Sequence, residues 1–278
     1  NIAVYLKSNG YRADVFPLAE DLNSPLSNAK MLSVATASPE ARRAYLEKWM
    51  RILLPTESDA SIAKHAAKES EKLDQLTQSI RAADFVIVTA GNVFDFFIAP
   101  DDGDVAPEIP VAPKFLRSSN TEDMELRNSV STALKGAGAK FRMANFAETA
   151  ASLRALHAAI RQINPNAHFL FTLSPVPIDS AIGVEGTSGQ ASMELDCVSK
   201  STLRTALHEL LAEWSKTDTK VYYFPSFEIV RWIGAMLPIP IFGHEDAAAR
   251  HVSADILNAV YGHFLSKFGV KSESEAAE

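Results

Sequence analysis

The chain has 278 residues, 47% hydrophobic and 22% charged, the balance of a soluble globular protein with a sizeable core and of neither a fibrous nor a disordered one. A formal net charge of −7 and an isoelectric point near 5.6 leave no basic excess to neutralise a phosphate backbone, so nucleic acid is not an expected partner. One cysteine, Cys197, excludes an intrachain disulfide framework and a thiolate metal site within the chain, and no apolar run approaches the roughly 18 residues of an integral membrane segment.

In chain order, Asn1–Asn9 sets Ile2, Val4 and Leu6 among polar neighbours and stops at Gly10. It reads as a helix that lacks its preceding strand. Residues 40–53 and 58–82, separated at Pro55, carry Leu46, Met50, Leu53 and then Ile62, Leu73, Leu76, Ile80 at helical spacing. Asp84–Ala90 is an apolar run between charge and Gly91, the pattern of a parallel strand buried on both faces. Residues 98–115, rich in proline and carrying Asp101, Asp102 and Asp104, suit an extended surface loop. A helix follows over 145–163, ended by Asn164-Pro165. Then come a strand at 168–173, a helix at 194–216, a strand at 221–224, a last helix over about 253–268 and a polar tail, 269–278. The alternation of helix and buried strand predicts a mainly parallel sheet of four or five strands with helices on both faces.

In such sheets ligands bind beyond the carboxyl ends of the strands, so the strand exits hold the candidate residues. After the first strand, Gly91 permits close backbone approach and Asn92 offers a side-chain amide to a developing oxyanion; a plain turn is the competing reading. After the second, Ser174 opens a stiff Ser-Pro-Val-Pro exit, but no G-x-S-x-G elbow surrounds it. After the third comes Pro225-Ser226-Phe227-Glu228, where Glu228 is expected to cap or to pair with Arg231. His251, on the loop before the last helix, is the candidate general base. His65, His157, His208 and His263 fall inside predicted helices and are expected at the surface or an interface, while His168 begins a strand and His244 lies in a loop. With no H-E-x-x-H, no G-x-x-x-x-G-K-[ST] and no G-x-G-x-x-G, neither a metal nor any other cofactor is expected.

Three stretches in order, Phe171-Thr172-Leu173-Ser174-Pro175-Val176-Pro177, Ser199-Lys200-Ser201-Thr202-Leu203-Arg204 and Tyr223-Phe224-Pro225-Ser226-Phe227-Glu228, resemble the GSCFA family, a branch related to the SGNH (GDSL-like) hydrolases. The resemblance extends more weakly to Thr89-Ala90-Gly91 and Arg250-His251-Val252-Ser253, and least to residues 11–83. It implies a three-layer α/β/α fold forming one domain over residues 1–268, with 11–83 as a helical insertion. The family's nucleophile is the serine of a Gly-Ser-Cys-Phe-Ala strand followed at once by a helix. Asn1–Leu6 fits that helix, so the nucleophile strand is expected upstream of Asn1. The pattern places an oxyanion-hole asparagine where Val93 stands, one position after Asn92, and an acid three residues before the histidine, where Ala248 stands. Asp246 is the substitute acid, with Glu245 farther off.

The resemblance implies a serine esterase or O-acyltransferase that moves a short acyl group, with a small-molecule or glycan acyl ester as substrate. In that chemistry His251 acts as base, and backbone N–H groups near Gly91, with Asn92, hold the oxyanion. The alternative, prompted by Ala248 and Val93, is a catalytically inactive module that binds glycans or serves in assembly. Compartment and oligomeric state stay open, with the cytoplasm preferred for the former.

Overall fold

A computed structural model of the chain describes residues 2–14, 23–99, 109–111, 124–178, 184–187, 189–243 and 251–269. Its elements run α1 (Ile2–Ser8), α2 (Pro25–Thr36), α3 (Pro39–Leu53), α4 (Asp59–Ala82), β1 (Phe85–Ala90), β2 (Phe94–Ile98), β3 (Ile109–Val111), α5 (Met124–Gly136) and β4 (Lys140–Met143). They continue with α6 (Phe146–Ile163), β5 (His168–Leu173), α7 (Ser192–Trp214), β6 (Val221–Phe224), α8 (Ser226–Glu228) and α9 (Ala254–Phe268). α8 passes directly into a π-helical turn, Ile229–Ile233, and a 3₁₀ turn, Gly234–Met236.

The three apolar runs pair in parallel in the order β1-β5-β6, with Val86 opposite Phe169 and Phe169 opposite Val221. Side chains alternate across a strand, so each strand feeds two cores. Val86, Val88, Phe169, Phe171, Val221 and Tyr223 join the large cluster built by α2, α3, α4, α6 and α7. Ile87, Leu170, Tyr222 and Phe224 join a second cluster with Ile2 and Leu6 of α1 and Ile256, Val260 and Phe264 of α9. Helices therefore cover both faces of a parallel sheet, the three-layer α/β/α arrangement that the alternation predicts.

Two features depart from the expectation. The parallel sheet has three strands among the described residues, against four or five expected. The segment after β1 also builds a separate antiparallel sheet, β3-β2-β4, in which Phe96 faces both Val111 and Phe141. Residues 98–115 are thus not wholly a loop: Ile109–Val111 is an edge strand, a place where Pro110 is tolerated. The rest of that stretch from 100 to 108 and from 112 to 115, and the polar tail from residue 270, lie outside the described residues.

The direction of α9 matters for the site. Its last residue, Phe268, packs against Phe85 and Tyr222, at the starts of β1 and β6. Val252, just ahead of the helix, shares a cluster with Val230 of the π-helical turn that follows β6, and α9 touches that turn. The helix, about 22 Å long at 1.5 Å per residue, runs back from the carboxyl end of the sheet, so the residues that open it belong to the carboxyl-end side.

At the opposite end Asn164 does more than stop α6. Its side-chain amide donates to the Ile80 and Ala83 carbonyls, both at 2.9 Å, and its Oδ1 accepts from the Asn166 and Ala167 N–H groups, both at 3.0 Å. One buried side chain so ties the ends of α4 and α6 to the entry of β5. Asn164→Ala leaves these buried groups without partners, and denaturant titration is expected to show a loss of about 2 kcal/mol.

Candidate active site

Pairing of Ala90 with Leu173, and donation from the Ser174 N–H to the Ala90 carbonyl at 2.8 Å, bring Gly91 and Ser174 side by side where β1 and β5 end. Ser174 is partly buried, and its Oγ accepts from the Val176 N–H at 3.3 Å. Gly91 is required by a close approach. A Cβ there would stand 3.0 Å from both Cβ and the carbonyl oxygen of Asn23. That same oxygen accepts from the Gly91 N–H at 2.7 Å and the Asn92 N–H at 3.2 Å.

Asn23 is fixed in turn by the start of α2. Ser24 caps that helix, and the Ser24 and Ser27 hydroxyls both donate to Oδ2 of Asp95, the latter at 2.6 Å. Asp95 is fully buried in β2, and its Oδ1 takes the Phe96 N–H at 2.9 Å. A carboxylate at a helix N-terminus is favoured by the helix dipole, which suits this buried link between α2 and β2.

The turn after β1 is held from the other side by α7. Ser199 Oγ accepts from the Val93 N–H at 3.1 Å, and Lys200 Nζ donates to the Gly91 carbonyl at 2.5 Å. The Phe94 N–H goes to Asn92 Oδ1 at 3.0 Å. All four backbone N–H groups from Gly91 to Phe94 therefore have protein acceptors in the structure. The donor that remains is the Asn92 side-chain Nδ2, which has no acceptor among the described residues. It is directed by its own oxygen, which Phe94 holds.

Lys200 is 3% exposed. Burial lowers its pKa to about 8; Asp196 opposes the shift and Arg231 adds to it. Asp196 accepts from Arg231 at 2.6 Å and from the Ile178 N–H at 3.0 Å, while Arg231 Nε donates to the Pro175 carbonyl at 2.8 Å. The expected Glu228–Arg231 pair does not form. That pairing assumed α-helical spacing, whereas residues 229–233 form a wider π turn and Arg231 faces α7. Glu228 instead takes Arg204 Nε at 2.6 Å and the Tyr223 hydroxyl at 2.8 Å. Burial first, and the Glu228 carboxylate next, raise the pKa of that hydroxyl.

His251 is exposed and opens the last helix as expected. Its carbonyl accepts from the Gly243 N–H at 2.9 Å, and the Ser253 N–H donates to the Ile241 carbonyl at 2.8 Å. A short antiparallel bridge between Phe242 and Val252 so anchors it on the carboxyl-end side of the sheet. Asp246, Glu245 and Ala248 lie outside the described residues, as does His244. His157, expected at the surface or an interface, is largely covered: it meets Asp218 at 2.9 Å and stacks on Trp214 at 4.5 Å.

Sequence reasoning placed Gly91, Asn92 and Ser174 at one crevice but missed Asn23, Asp196, Ser199, Lys200 and Arg231. The signal was available in α7, where Asp196, Ser199, Lys200 and Leu203 recur at helical spacing and are all buried. Among the described residues no group of His, Cys, Asp or Glu side chains is placed to hold a metal ion, and no helix is long and apolar enough to cross a membrane.

No curated protein and no solved structure matches the chain. A model of one protein family does, over residues 1–264, which include every element from α1 to most of α9. The chain belongs to the GSCFA family.

Proposed function

We propose that this chain carries the crevice of an SGNH-type serine esterase or O-acyltransferase that moves a short acyl group, with a glycan or small-molecule acyl ester as substrate. The observation that carries the reading is the Asn92 carboxamide, its oxygen held by the Phe94 N–H and its Nδ2 uncommitted, in the exit turn beside Ser174. In this reading a serine hydroxyl attacks the acyl carbonyl and His251 takes the hydroxyl proton. Asn92 Nδ2 donates to the oxyanion. His251 then returns the proton to the leaving alcohol. Water or an acceptor hydroxyl releases the acyl group by the same steps, and Asp246 is the residue proposed to orient the imidazole.

Treating the protein with a fluorophosphonate probe tests this. The expected result is one covalent adduct, on a serine. Absence of labelling at active protein concentrations would remove the esterase reading. It would favour instead a non-catalytic module that binds glycans or serves in assembly. One observation supports that second reading: with the backbone N–H groups of Gly91 to Phe94 committed, a single carboxamide is left as oxyanion donor on this turn.

A further inference from the structure

We propose that Lys200 is a positioning residue of this crevice: from α7 its ammonium group, with the Ser199 hydroxyl beside it, clamps the Gly91–Val93 turn and so fixes the Asn92 carboxamide toward the reacting carbonyl. The role assigned to Asn92 rests on the esterase or acyltransferase reading above; the clamp itself does not.

The clamp is built from two consecutive residues acting on two consecutive peptide units. Lys200 Nζ donates to the Gly91 carbonyl at 2.5 Å, and Ser199 Oγ accepts from the Val93 N–H at 3.1 Å. Asn92 lies between these two anchors, and Asn23 holds the same turn from α2 through the Gly91 and Asn92 N–H groups. Four hydrogen bonds, two from α7 and two from the residue just ahead of the α2 cap, thus hold the turn that carries the Asn92 side chain.

An ammonium group is a costly choice for this task if it serves packing alone. Lysine is almost never fully buried without a paired charge, and desolvation works against its charged form. Here the nearest carboxylate, Asp196 on the same helix, already holds Arg231 and the Ile178 N–H. Asp196 and Arg231 are the charged groups that act on Lys200, in opposite senses. An apolar side chain of the same length would fill the volume without desolvating a charge. What it would lose is the charge-assisted bond to the Gly91 carbonyl, which is stronger than a neutral one.

The test compares Lys200→Met, Lys200→Arg and Ser199→Ala with the unmodified protein, using p-nitrophenyl acetate as substrate. Lys200→Met is expected to lower kcat about tenfold with KM within about twofold, since an interaction that fixes the transition-state donor acts on kcat. Lys200→Arg should recover kcat to within about threefold. The unmodified protein should lose kcat as the pH rises past about 8, and neither Lys200→Met nor Lys200→Arg should show that loss. Amide hydrogen exchange at pH 7 reads the clamp without activity. Exchange at Gly91, Asn92 and Val93 should quicken about tenfold in Lys200→Met, and at Val93 in Ser199→Ala, with β5 unchanged. Unchanged exchange in both variants overturns the proposal even in an active esterase. Faster exchange with unaltered kcat overturns the positioning role. If the unmodified protein neither labels with fluorophosphonate nor hydrolyses the ester, the esterase reading falls by itself, and exchange alone decides whether Lys200 holds the turn.

Discussion

His251→Ala is expected to lower hydrolysis of a short-chain aryl ester by roughly 100-fold or more, the usual scale for losing a general base. The expectation starts from placement. Ile256, Val260 and Phe264 bury α9 against the sheet. The Phe242–Val252 bridge pins the residues on either side of the loop to His251. The backbone carrying the imidazole is therefore fixed at the carboxyl-end side, while the residue itself stays exposed. Denaturant titration of His251→Ala beside the assay separates lost chemistry from lost folding. Asp246→Asn complements the measurement. If Asp246 orients the imidazole, Asp246→Asn should also reduce kcat, because an amide no longer holds the required tautomer. Unchanged hydrolysis in His251→Ala would end the catalytic reading of this residue and leave the binding module as the better account.

How much of this was legible in the sequence follows from how each segment is buried. β1, β5 and β6 are apolar runs bounded by charge, Gly91 or proline, and a strand covered on both faces has that signature. α4, α6 and α9 bury one stripe and expose the other, so their periodicity marks them. α2 left no such trace. Pro25, Leu26, Ser27, Asn28, Ala29, Met31, Leu32, Val34 and Ala35 are all buried, and a helix enclosed on most sides carries no polar stripe to set its period. β2 was hidden for a different reason: Asp95 interrupts Phe94–Ile98, and the distant Ser24 and Ser27 hydroxyls that help hold a buried carboxylate there are not visible locally. The candidate site divides in the same way. Gly91, Asn92 and Ser174 are candidates because strand exits are local, whereas Lys200 joins them only when α7 is set against the turn after β1.

Lys200→Met should change how stability depends on pH by an amount on the order of 3 kcal/mol. Lys200 has a folded-state pKa lowered from 10.5 to about 8, with burial as the main cause. In the unfolded chain it titrates at its ordinary value. Between those two values the unfolded state binds a proton that the folded state does not, so stability rises with pH across that window. Above about 10.5 the neutral amine is buried at no charge penalty. As pH falls through about 8 that advantage is lost, and at pH 7 the fold carries the full cost of a desolvated ammonium. The lowering from 10.5 to about 8 corresponds to about 3 kcal/mol. Guanidinium titrations at pH 7 and pH 10 should therefore show the unmodified protein gaining about 2–3 kcal/mol relative to Lys200→Met, since groups common to both proteins cancel in the difference. At pH 7 itself Lys200→Met should match the unmodified protein to within about 1 kcal/mol, because the ammonium's desolvation penalty offsets the roughly 1.5–3 kcal/mol of one charge-assisted hydrogen bond to the Gly91 carbonyl. A stability difference between the two proteins that does not move with pH would mean that Lys200 is solvated in the fold. A variant more stable at pH 7 yet slower at turnover would show that the lysine is retained for the geometry of the Gly91–Val93 turn and not for the stability of the fold.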